Sequence, residues 1–215
     1  MLRELPRLLW QHPQPDRVEH PALVVIVPGL GASDLAMLPL GAYLRKAGHL
    51  VFDSNLGLNF GSVIDDIDIV GERVAEVTEI HRKQAALIGW SLGGLVAREV
   101  ARRDHGRVDQ VITFGTPLKG PRYTSLAFMY REERTREIER AIEEAAQTPI
   151  TVPITAIYSK DDGIVDWRSC VDEKNPNVTH AEVDSAHLAM NLDPDVWAVV
   201  EKKLAERPAP PLDRE

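Results

Sequence analysis

The chain has 215 residues, 44% hydrophobic and 27% charged, a balance that suits one domain able to bury its own core. Lys and Arg number 25 against 33 Asp and Glu, and the formal net charge of −8 argues against nucleic acid and against charge-driven docking on anionic membranes. The single cysteine, Cys170, excludes an internal disulfide and a cysteine-based zinc cluster, so any metal ligands would be His and carboxylates.

Residues 1–21 carry four prolines and read as an irregular arm, in which Leu2, Leu5, Leu8, Leu9 and Trp10 form one short amphipathic turn. The apolar positions of MLRELPRLLWQHPQP are broken by Arg3, Glu4, Pro6 and Arg7, so a secretory leader is not expected and a cytoplasmic setting is. No stretch approaches the roughly 18–20 apolar residues of a membrane span, so stable membrane insertion is not expected. Ala22–Val27 (ALVVIV) has the pattern of a strand buried on both faces. Pro39–Ala47 reads as a helix stopped by Gly48, and His49–Asp53 as a short strand. Residues 62–82 read as a long helix, with Val63, Ile67, Val70, Val74 and Val77 on one stripe. Then come a strand at Ala85–Gly89, a helix at Leu92–Arg103, and strands at Val108–Phe114, Ile154–Ser159 and Val178–Val183. A last helix spans Pro194–Ala205, with proline in its first turn, before the Pro-rich tail at 207–215.

Strands alternating with helices predict an α/β fold: a mostly parallel sheet, helices on both faces, chemistry beyond the carboxyl ends of the strands. Residues 117–152 interrupt the alternation. They open PLKGPR, contain LAFMY and continue as REERTREIERAIEEAA. The mixed charges suit a solvated helix, and the position suits a small helical cap inserted in a single domain.

Gly89-Trp90-Ser91-Leu92-Gly93-Gly94 matches G-x-S-x-G, between a buried strand and an amphipathic helix. In that context Ser91 is a candidate nucleophile on a strained strand-to-helix turn, with the helix N-terminus facing the developing charge. A serine needs a base. In the chain order serine, acid, histidine, His180 and His187 are the candidates. His180 falls inside the last strand, whereas His187 lies in the loop after it and is better placed. The acid belongs after the strand at 154–159, where Asp161, Asp162 and Asp166 compete; Asp162, before Gly163 and an apolar pair, suits the turn best. Two N–H donors for an oxyanion are expected from Leu92 and from Leu30 in the loop PGLGAS. Neither G-x-x-x-x-G-K-[ST] nor G-x-G-x-x-G occurs, so a phosphate-cradling loop is not expected.

PGLGASD, NLGLNFG, GWSLGGLVARE, VITFGTP, AIYSKDDGIVDWRSC and SAHLAMN together resemble the α/β-hydrolase superfamily, and within it a bacterial lipase/esterase-like branch, over roughly residues 20–206. The resemblance implies Ser91 as nucleophile, Asp162 as acid, His187 as base and an oxyanion hole from the Leu30 and Leu92 amides. Many lipases carry His-Gly where this chain has Pro28-Gly29, a change of little consequence where backbone amides act. The expected substrate is a small apolar ester, and no metal or organic cofactor is called for. Leu30, Leu35, Met37, Leu126, Phe128, Met129 and Tyr130 are candidate acyl contacts as well as candidate core. The same machinery would serve a thioesterase, acyltransferase or amidase, and a non-catalytic binding member of the fold is the remaining alternative.

Overall fold

The first buried run forms β1 (Leu23–Val27), whose side chains alternate between two cores with the two-residue period of a strand. Leu23, Val25 and Val27 pack with α2 (Val63–His81) and α3 (Leu92–Arg103). Val24 and Ile26 pack with α1 (Leu38–Ala47) and α5 (Pro194–Ala205). The computed structural model describes residues 14–125, 127, 132–145 and 147–206. The expected turn at Leu2–Trp10 and the tail at 207–215 lie outside the described residues.

Besides β1, the sheet contains β2 (Leu50–Asp53), β3 (Ala85–Trp90), β4 (Val108–Phe114), β5 (Ile154–Tyr158) and β6 (Val178–Glu182), in the order β2-β1-β3-β4-β5-β6. Every neighbouring pair is parallel. The chain steps from β1 outward to β2, then back past β1 to β3. Right-handed crossovers made in opposite directions put α1 on one face and α2 and α3 on the other. The loops after β1 and β3 therefore leave toward opposite faces and open a crevice between them. The register pairs Val27 with Gly89, Trp90 with Phe114, and Tyr158 with Glu182. Ser91 and the loops at 28–34, 115–117, 159–166 and 183–189 thus share one edge of the sheet.

The bounds of α3, β4 and α5 are those expected from the sequence. The edge strand β6 is mostly exposed, unlike the inner strands, because it lacks a neighbour on one side. Among the described residues of 117–152 there is one α-helix, α4 (Glu132–Ala145). It buries Thr135 and Ile138 and is held by Arg122, which pairs with Glu132 and Glu139. Most of its remaining described side chains face water, as its charge pattern implies.

One polar tie crosses the core boundary. Arg98 of α3 pairs with Asp172 in the connection between β5 and β6, and both are buried. Asp172 Oδ1 also accepts from the backbone N–H of Lys174 (2.9 Å) and Asn175 (3.1 Å), and Oδ2 from Asn175 Nδ2 (2.7 Å). Burial pushes the Asp172 carboxyl up, but Arg98 and these donors outweigh it and hold the group below its ordinary range. Such a group stabilises the fold above its unfolded pKa of about 3.9, and the contribution is lost as pH falls through the lower folded value. Asp172→Asn should cost about 3–5 kcal/mol in urea unfolding at neutral pH, because Arg98 is left buried and unpaired. The gap to the unaltered protein should narrow as the acid limb is reached, and an equal gap at all pH values would contradict this account.

Candidate active site

Ser91 is the N-cap of α3 and takes φ 52° and ψ −122°, a conformation that side-chain-bearing residues rarely adopt. The turn is closed by Ser91 N–H donating to Phe114 O (2.9 Å) and Gly94 N–H donating to Ser91 O (3.0 Å). A Cβ at Gly93 would overlap the carbonyl oxygens of Val27 and Pro28, so only glycine lets α3 start this close to the end of β1. The Ser91 side chain does not cap its own helix. Its hydroxyl is left for another partner.

That partner is His187. Its Nε2 lies 3.0 Å from Ser91 Oγ, and its Nδ1 lies 2.7 Å from Asp162 Oδ2. A carboxylate accepts only, which assigns the proton to Nδ1 and leaves Nε2 as the acceptor toward serine. Asp162 and His187 are 4% and 3% exposed, so the pair is shielded from water. Asp162 Oδ1 accepts from the N–H of Ile164 (2.9 Å) and Val165 (2.6 Å), which fixes the carboxylate plane. The backbone of His187 also donates to Asp162 O at 2.9 Å. The indole of Trp90 sits 5.8 Å from the imidazole, centroid to centroid. The chain thus brings together Ser91, Asp162 and His187. It does not bring in the other candidates: Asp161 is exposed, Asp166 caps a short turn by accepting from Arg168 N–H, and His180, on the edge strand, accepts at Nε2 from Asp172 N–H.

The N–H groups of Leu30 and Leu92 donate to no group among the described residues. Both residues line an apolar cleft of about 30 Å³ beside Ser91. Leu95, Pro117, Pro121 and Ile164 line it further, so the start of the 117–152 segment forms one wall. Leu35 is exposed and Met37 is core, and neither lines this cleft. Leu126, Phe128, Met129 and Tyr130 lie outside the described residues. No group of three His, Cys, Asp or Glu side chains converges as a metal site among the described residues. Burial and the nearby Asp162 charge push the Cys170 thiol up to about 12, so it is a poor nucleophile.

A sequence profile described as the Alpha/beta hydrolase family matches residues 24–204. The chain belongs to the alpha/beta hydrolase family. Among solved structures, this hydrolase is similar to an esterase of Pyrococcus furiosus, with 19% identity, 88% of this chain and 84% of that chain covered, and a TM-score of 0.68. It is also similar to a Bacillus licheniformis lipase in mature form, at 15% identity, covering 88% and 96% of the two chains, with a TM-score of 0.69. A monoacylglycerol lipase of Paleococcus ferrophilus gives 19% identity, 86% and 92% coverage and a TM-score of 0.60. No curated protein sequence matches the chain. At these identities the likeness to solved structures shows the fold.

Sequence reasoning missed two residues of this hydrolase that organise the site. Ser159, read only as the end of a strand, is buried, and its Oγ accepts from the N–H of both Asp161 (3.0 Å) and Ser185 (3.1 Å). It joins the acid loop to the histidine loop. Asn59, in the segment NLGLNFG, is fully buried and its side chain reaches the loop after β1. The turn signal was visible in NLGLNFG; the long-range contact was not. Gly93→Ala should lower the unfolding midpoint, because the added methyl would meet the carbonyls of Val27 and Pro28. Gly71→Ala, whose added methyl meets nothing within 4 Å on α2, should be neutral or slightly stabilising. Equal melting behaviour of the two variants would contradict the close-approach argument.

Proposed function

We propose that this hydrolase cleaves carboxylic esters with an apolar acyl group through an acyl-enzyme on Ser91. The observation that carries the reading is the hydrogen-bonded sequence Ser91, His187, Asp162, with spacings of 3.0 and 2.7 Å, opening on an apolar cleft. The esterase and lipases among the structural neighbours support the same chemistry.

In the proposed reaction Ser91 Oγ attacks the ester carbonyl carbon while its proton passes to His187 Nε2. The carbonyl π electrons move onto oxygen, and the Leu30 and Leu92 N–H groups receive that oxyanion. Asp162 keeps Nδ1 protonated and stabilises the imidazolium. When the oxyanion collapses, the bond to the leaving alkoxide breaks, and His187 gives that oxygen the proton. Water then repeats the sequence on the acyl-enzyme, releasing the carboxylic acid and restoring Ser91. Only water and ester are consumed.

An apolar substrate fits the surroundings. The cleft is open to solvent on one side, so a longer acyl chain would extend over the loops. There Leu35, Leu38, Leu58, Phe60 and Leu188 are exposed on the loops after β1, β2 and β6 and at the start of α1. Isolated exposed leucines are ordinary, but five large apolar side chains on one edge suit an oily partner. In this reading the 117–152 segment caps the cleft, from the wall that Pro117 and Pro121 begin.

A panel of acyl esters and matching thioesters, run with a fluorophosphonate probe, tests the proposal. The unaltered protein should label once per chain and hydrolyse esters of apolar acids. Ser91→Ala should abolish labelling and lower kcat/KM by at least about 10⁴-fold, and Asp162→Asn should lower kcat by about 10⁴. No labelling would sink the catalytic reading, and turnover of thioesters alone would replace the ester assignment.

A further inference from the structure

The loop that carries Leu30 is held from outside itself. Gly29–Ala32 form a turn in which Ala32 N–H donates to Gly29 O (3.1 Å) and Gly31 takes φ 70°, as the third residue of a type II turn requires. The carbonyl of the Gly29–Leu30 peptide is drawn into this turn, so its N–H, that of Leu30, points the opposite way. What keeps this plane in place is the loop after β2. Asn59 Nδ2 donates to Pro28 O at 3.0 Å across 31 positions of sequence. Gly31 N–H donates to Asn59 O at 2.8 Å, and Asn59 N–H donates to Ala32 O at 2.9 Å. Asn59 Oδ1 is itself held by Gly61 N–H at 2.9 Å. The peptides immediately before and after the one bearing the Leu30 N–H therefore both end on Asn59. A second clasp joins the same loops: the Asp34 carboxylate accepts from Ser54 Oγ (2.6 Å), Ser54 N–H (3.2 Å) and Gly57 N–H (3.0 Å).

We infer that Asn59 is a positioning residue for catalysis, whose buried side chain holds the Leu30 N–H where the oxyanion forms. The inference rests on the proposed acyl transfer at Ser91. The side chain is chemically specific. Asparagine donates to Pro28 and accepts from Gly61 at once, aspartate keeps the shape but loses the donor, and alanine loses both. Preorganised donors act only if they are in place before charge develops, so a loosened loop weakens the transition state more than the ground state.

The test is steady-state kinetics on the full chain with Asn59→Asp and Asn59→Ala. Removing an oxyanion donor outright costs about 10²–10³ in kcat, and loosening one should cost about 10- to 100-fold, with KM within about three-fold. Affinity for an alkyl boronic acid, which mimics the tetrahedral intermediate, should fall by a similar factor. The pH profile of kcat/KM should keep its shape, because Ser91, His187 and Asp162 are untouched. Val77→Ala, a core truncation on α2, should lower the unfolding midpoint and keep kcat. Asn59 variants that melt earlier yet keep kcat and boronate affinity would overturn the inference, as would failure of both to fold, since Asn59 would then serve the fold alone. An unaltered protein that hydrolyses no ester would sink the reading of Ser91 instead.

Discussion

The strained turn at Ser91 is the constraint on which the site depends. A residue with a side chain held at φ 52° carries a cost of about 1–3 kcal/mol, and it persists only where neighbours over-determine it. Here the neighbours are the end of β4, which accepts from Ser91 N–H, and the end of β1, which Gly93 allows to approach. The turn keeps the hydroxyl out of the helix cap and turned to His187 at the start of α3, beside N–H groups that have no helical partner. The position of the Ser91 hydroxyl and its electrostatic environment come from the same backbone feature.

Around that turn, three loops are fastened by buried polar groups rather than by their own rigidity. Ser159 joins the acid and histidine loops, Asn59 holds the loop after β1, and Arg98 with Asp172 ties α3 to the connection that follows the acid loop. Each is a long-range contact of a buried polar side chain, and burial makes such groups expensive to leave unpaired. Stability and preorganisation are thus coupled: loosening a tie exposes the fold to a desolvation cost and the site to misalignment. Leu35, Leu38, Leu58, Phe60 and Leu188 at the same edge are exposed instead.

The fold was legible because its inner strands are buried on both faces. Runs such as Ala22–Val27 and Ala85–Gly89 have no alternating polar face, and the amphipathic stripe of residues 62–82 marks a helix that covers them. Ser91, Asp162 and His187 were legible because each follows a strand end, and a parallel sheet collects those ends on one edge. Asp162 stood out from Asp161 and Asp166 through Gly163 and the apolar pair behind it, whose N–H groups bind its carboxylate. Asn59, Ser159 and Asp172 were not legible. Their local signals read as turns and loop ends, and their partners lie 20 or more residues away for Asn59 to Pro28, Ser159 to Ser185 and Asp172 to Arg98. Met37, a candidate acyl contact by type, belongs to the core because the turn before α1 points it inward.

Whether Ser91 carries the acyl group can be read by intact-protein and peptide mass spectrometry after rapid acid quench of an activated-ester reaction. One acyl group per chain is expected at early times, on the peptide containing Ser91, decaying as water completes the turnover. Ester hydrolysis with the acyl group on another residue, or with no acyl-protein under single-turnover conditions, would contradict it.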